Sequence, residues 1–170
     1  MQHTLPILSV IVLAIAAFGS QQKTTMIKSP DRQFVASIIS VGTEEDKDYE
    51  SRVEIRKSDG TLLYSKSYMS DDHEHGQGVL KAQWTPDAKF FVFSTVNSGG
   101  HQPWHFPIYY YSCLTNKIYK IDHFVGPFIS AEFQLKAPDV VVIVVQDPTR
   151  TGDTENGLLK SIRLHRLRKQ

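Results

Sequence analysis

One cysteine, Cys113, stands among 170 residues. No intramolecular disulfide can form, so stability has to come from packing even in an oxidising compartment. Nothing adjacent to Cys113 in sequence would lower its pKa, and a small, buried, apolar role in a strand is expected for it, not that of a nucleophile. Charge of one sign is scarce as well: 19 Lys and Arg against 18 Asp and Glu leave a formal net charge of +1, which gives no general pull toward nucleic acid or a membrane surface. A Gly-x-Ser-x-Gly nucleophile elbow, a Walker phosphate loop, a dinucleotide fingerprint and a zinc-protease motif are all missing. Enzymatic activity is therefore the minority reading, and no cofactor is expected beyond a divalent transition metal in the alternative given below. Met1 to Pro6 also lacks the Lys or Arg that usually opens a secretory signal.

The rest of the N-terminus does read as such a signal. "LPILSVIVLAIAAF", Leu5 to Phe18, is an apolar run too short to span a bilayer comfortably, and Ala17, Gly19 and Ser20 supply the small residues of a cleavage site. Residues 1–20 are read as a signal peptide, cut after Gly19 or Ser20, and the mature chain as secreted or periplasmic. Only an uncleaved segment would attach it to a membrane. Residues 21–170 are the length of one ordinary domain with a single core.

Strand and turn signals recur through that domain. Pro30-Asp31 and Pro86-Asp87 precede the apolar runs "FVASIIS" and "FFVFST", and each pair fits a type I turn, with Pro presetting φ and Asp satisfied locally. Polar loops follow, then the strands "SRVEIRK" and "PIYYYSC", then the tight turns "KSDGT" and "LTNK" leading to "LLYSKSY" and "IYKIDHF". A degraded third copy runs from "SAEF" through "VVVIVV" to "KSIRLHRL". The period of about 50 residues marks blade-like units, here 21–69, 78–124 and 129–168. The expected fold is all-β: antiparallel meanders, two complete and one partial, forming an open or sandwich-like single domain.

"WTPDAKFFVFS", Trp84 to Ser94, resembles the blade repeat of TolB-type and related WD-like β-propellers. Trp84, Thr85, Pro86, Asp87 and Lys89 match its pattern, while Ala88 stands where the family has Gly. Ser29, Pro30 and Asp31 match in the first copy, and Phe133 holds the aromatic place in the third, where Pro138-Asp139 is displaced. The resemblance implies a blade, not an activity. A closed ring takes about four blades or more, which leaves this chain short of one unless two chains combine.

Alternate connections of an antiparallel meander emerge at opposite ends. Here one set is short and the other long: 41–50, 69–78, 96–107, 122–128 and 146–157. Long loops on a rigid scaffold carry function, so the long-loop rim is the expected site. Trp104, in "GGHQPWHFP" between Pro103 and Pro107, is the expected anchor for a protein, peptide or glycan, with His101, His105 and Phe106 as neighbouring contacts. The alternative is a metal site built from His73 and His75 of "DDHEHG" with His101 and His105, since imidazole is a common transition-metal ligand. A third reading is a structural subunit, or homo-oligomer, assembling through exposed blade edges. "EEDKDYE" lacks the spacing of a calcium loop and reads as solvated and mobile. Tyr109 and Tyr111 should share one strand face and Tyr110 the other. The basic "LLKSIRLHRLRKQ" reads as an edge strand guarded by charge.

Overall fold

The computed structural model describes residues 21–42, 50–72, 75–98, 106–147 and 157–169. It is all-β, with eleven strands in three antiparallel sheets among the described residues. The first sheet holds β1 (Gln21–Lys28), β2 (Phe34–Gly42), β3 (Glu50–Lys57) and β4 (Leu62–Ser67). The second holds β5 (Gln77–Trp84), β6 (Phe90–Asn97), β7 (Ile108–Ser112) and β8 (Lys117–Lys120), and the third holds β9 (Phe128–Lys136), β10 (Val140–Gln146) and β11 (Gly157–Arg163). Strand order follows chain order in every sheet. The two complete meanders and one partial meander expected from the sequence are thus present, in an open arrangement.

The sheets stack face to face, with the second in the middle. Phe91 and Phe93 of β6 and Tyr109 and Tyr111 of β7 pack toward the first sheet, against Ala36, Ile38, Val53 and Ile55. The alternate residues Phe90, Val92, Ile108 and Tyr110 pack toward the third, against Phe133, Val141, Ile143 and Val145. This explains why "FFVF" and "IYYY" are uninterrupted apolar runs: a strand buried on both faces has no need of alternation. The tyrosines divide between faces as expected, and Phe93 stacks on its cross-strand neighbour Tyr109 with ring centroids 5.4 Å apart.

The Pro-Asp turns are built alike. Arg32 N–H donates to Ser29 O and Ala88 N–H to Thr85 O, both at 2.9 Å. The Ser29 and Thr85 hydroxyls donate to the Asp31 and Asp87 carboxylates at 2.6 and 2.7 Å. Each turn then passes through a left-handed residue, Arg32 at φ 60° and Ala88 at φ 58°, the conformation in which glycine is normally preferred. Trp84 ties the first two sheets together: it is 4% exposed, its indole N–H donates to Ile27 O at 2.9 Å, and its ring stacks on Phe34.

The C-terminus differs from expectation. The strand reading holds only to Arg163, after which Leu164–Lys169 form a 3₁₀ helix. Leu164 is fully buried and Leu167 packs against the same core; their spacing of three suits the three-residue turn of that helix and draws the chain back onto the third sheet. A one-turn helix, α1 (Asp122–Val125), also interrupts the loop between β8 and β9.

Candidate functional site

Among the described residues, short connections contact one another at one end of the strands. Ser58 N–H donates to Gln33 O, placing "SDG" beside the first Pro-Asp turn, and Asp87 N–H donates to Pro138 O. At the other end, the bases of three long loops meet on one carboxylate. Glu50, fully buried at the start of β3, accepts from the Ser70 N–H at 2.7 Å, the Ser70 hydroxyl at 2.8 Å, the Ser98 hydroxyl at 2.7 Å and the Gly76 N–H. Burial alone would push this carboxyl up, but the hydroxyls of Ser98 and Ser70 and the two amides together hold it below its ordinary value. Gly76 makes the approach feasible, since a Cβ there would run into the Glu50 carboxylate and lie 2.5 Å from Tyr68 O. Glu50 thus corrects the solvated reading of "EEDKDYE" at its last residue. The cause is that strand β3 begins there and turns the side chain inward.

Of the residues expected to form the site, His73, His101, Trp104 and His105 lie outside the described residues. Phe106 is half-buried, next to Pro107, whose carbonyl accepts from Thr95 N–H at 2.9 Å. The His75 ring is exposed, with Nδ1 2.6 Å from Asp72 Oδ2, and its backbone N–H donates to the Ser70 hydroxyl. Ser70 therefore links the His75 loop to the Glu50 clamp. Among the described residues no group of three or more His, Cys, Asp or Glu side chains is gathered as for a metal ion.

A groove of about 400 Å³ lies along the outer strands β4 and β8, with Lys66, Lys120 and His123 set among Tyr109, Tyr119 and Phe124. The Lys66 ammonium sits 4.7 Å from the centre of the Tyr68 ring, within the range of a cation–π contact. Burial pushes the phenols of Tyr109 and Tyr68 up, so both rings stay neutral.

Sequence reasoning overlooked the short-turn end. There the second and third sheets enclose a cleft of about 660 Å³, lined by Phe90, Cys113, Leu114, Pro138, Asp139 and His165, among others. Asp139 is 1% exposed. Its Oδ2 accepts from the His165 N–H at 2.9 Å and lies 2.6 Å from the His165 ring Nδ1. Burial opposes ionisation of Asp139, yet the two bonds and the charges of His165 and Arg163 hold its carboxyl below the ordinary value. Cys113, expected to be buried within a strand, instead follows β7 half-buried on the cleft wall, its thiol 3.6 Å from Ala88 O. The only hint in the sequence was that the third Pro-Asp pair lacks the Ser or Thr that occupies its Asp in the other two copies.

No protein-family model matches the chain, and no curated protein matches it. Among solved structures it is similar to a chain from Clostridium novyi described as a conserved lipoprotein, at 14% identity over 86% of this chain and 90% of that one, with a TM-score of 0.48.

Proposed function

We propose that the protein is exported and is a non-catalytic β-domain that binds a protein, peptide or glycan through its long-loop rim. One observation carries this reading: the buried Glu50 carboxylate, at the end of one long loop, holds Ser70 and Gly76 of a second and Ser98 of a third, tying three loop bases together on one rim. Fixing loop bases lowers the entropy lost when the loops engage a partner. The loop that leaves Ser98 carries Trp104 between Pro103 and Pro107, and aromatic anchors on stiffened loops suit peptide and sugar contacts. The groove with Lys66, Lys120 and His123 adds a cationic, aromatic flank. The metal alternative has one supporting feature, the Asp72–His75 pair, since a carboxylate on one ring nitrogen commonly orients the other toward a metal.

The test is to probe peptide and glycan arrays with the mature chain and with Trp104→Ala. The expected result is capture by wild type and loss of capture by the variant, with melting unchanged. Equal capture by both proteins would remove Trp104 from the site and the reading with it.

A further inference from the structure

We propose that the outer edge of β11 takes up an extended, acidic peptide segment of a partner protein as a fourth strand of the third sheet. The inference concerns a sheet edge and does not rest on the rim reading.

Strand count singles out this edge. The first and second sheets each close on a fourth strand, β4 and β8, whereas among the described residues the third ends at β11. β11 pairs with β10 over its whole length, from Gly157 to Arg163, without a bulge. Leu164 N–H donates to Asp139 O at 3.1 Å, so the even-numbered residues of β11 direct their backbone groups to β10. Alternation then gives the open side to the N–H and C=O groups of Gly157, Leu159, Ser161 and Arg163. All four residues are exposed, Leu159 at 73%. Such a row of unpaired groups is a template for another strand.

The second sheet shows what a fourth strand covers. Ile118 of β8 packs against the core shared with the first sheet. An apolar side chain in the equivalent place beside β11 would cover Leu158, which is 43% exposed, and Tyr119, which packs half-buried against the core of the third sheet. On its other face the added strand would run beside Leu159, Ser161 and Arg163.

Charge selects the partner. From Gly157 to Gln170 the sequence has Lys160, Arg163, Arg166, Arg168 and Lys169 and no Asp or Glu, and Arg163 and Arg166 are exposed. A second copy docking through its own β11 would set these cations against one another, and like charges across a strand pair are destabilising. A strand with carboxylates on the Arg163 face meets the opposite condition. The Lys160 ammonium is turned away from the edge, donating to Val125 O at 3.2 Å. In such strand addition the main-chain bonds supply affinity and the alternating side chains specificity.

The experiment titrates the protein into a fluorescently labelled peptide of alternating valine and glutamate and reads binding by anisotropy. Residues directly opposite in an antiparallel pair share a face, so glutamates placed beside Arg163 direct their own N–H groups to β11 and the valines direct theirs away. N-methylation of the glutamate nitrogens is therefore expected to weaken binding about a hundredfold, as several main-chain bonds are lost together, and N-methylation of the valine nitrogens to leave it unchanged. Lysine in place of glutamate should weaken binding about tenfold. Ser161→Pro removes one outward N–H at an edge position that tolerates proline, and should weaken binding about tenfold with melting unchanged. Absence of binding to the glutamate peptide, or equal effects of the two methylations, would overturn the proposal, and neither comparison needs a variant. So would a wild-type dimer that Ser161→Pro dissociates, which would assign the edge to a second copy.

Discussion

The Glu50 carboxylate fills the space that any side chain at residue 76 would need, and the Gly76 N–H is one of the donors that holds it there. Gly76→Ala must therefore displace either the carboxylate or the Tyr68 backbone. The expected cost is about 2 kcal/mol, within the range for overpacking a filled site. Glu50→Gln should cost a similar amount, about 2 kcal/mol, because it replaces a charged acceptor of several bonds with an amide that has one acceptor and a superfluous donor. Urea denaturation of both variants measures these values, and a loss below about 0.5 kcal/mol, the range of ordinary surface changes, would mean that the clamp is not structural.

The two left-handed turn residues should respond differently to glycine. Arg32 is exposed at φ 60°, so Arg32→Gly should relieve steric strain and stabilise the protein by about 1 kcal/mol. Ala88 at φ 58° is 4% exposed. Ala88→Gly gains the same relief but loses a buried methyl worth about 0.8 kcal/mol, and should be close to neutral. Paired denaturation curves distinguish the two outcomes.

Acid should unfold the protein through two carboxyls. Glu50 and Asp139 are held below their ordinary values of 4.5 and 3.8. A depressed folded-state pKa contributes stability that is fully present above the unfolded value and is lost as pH falls through the folded one. Glu50→Gln and Asp139→Asn should accordingly be less stable than wild type at neutral pH, with the gap closing as pH drops below about 4. A gap that persists undiminished in acid would place the cause outside these ionisations.

The metal alternative has its own measurement. If His73, His75, His101 and His105 form a site, Zn²⁺ should raise the melting temperature with its occupancy, since a ligand of the folded state stabilises it by mass action. Replacing His101 and His105 with Ala should abolish that rise. Melting indifferent to zinc, copper and nickel, the outcome expected from the binding reading, would retire the metal site.

Local chemistry made much of the fold legible. The turns at Pro30-Asp31 and Pro86-Asp87 close through hydrogen bonds spanning five residues or fewer, so a short window of sequence contains all the partners. "FFVF" and "IYYY" announced strands, and their lack of alternation already carried the news of two buried faces. Glu50 and Asp139 were not legible, because their partners lie 20 to 48 residues away for the first and 26 for the second. Glu50 sat at the end of an acidic run, where charge suggests solvent until the fold supplies donors. His165 fell in an apparent edge strand, where nothing local distinguishes it from a surface residue.

The middle sheet's position between two neighbours bears on how the chain folds. Every strand pairs with its neighbour in sequence, so each meander can zip from its own turns at a low loop-closure cost. The first and third sheets, however, have their main apolar contacts with the second, which makes the assembly a linear array with a shared central unit. In such an array stability is a sum of unit and nearest-neighbour terms. Damage to β6 or β7 removes two coupling terms at once, whereas damage to an end sheet removes one. Amides of Phe91 to Phe93 should therefore be the last to exchange with deuterium, and a nascent chain should remain vulnerable to proteolysis until the segment through Lys120 has been made.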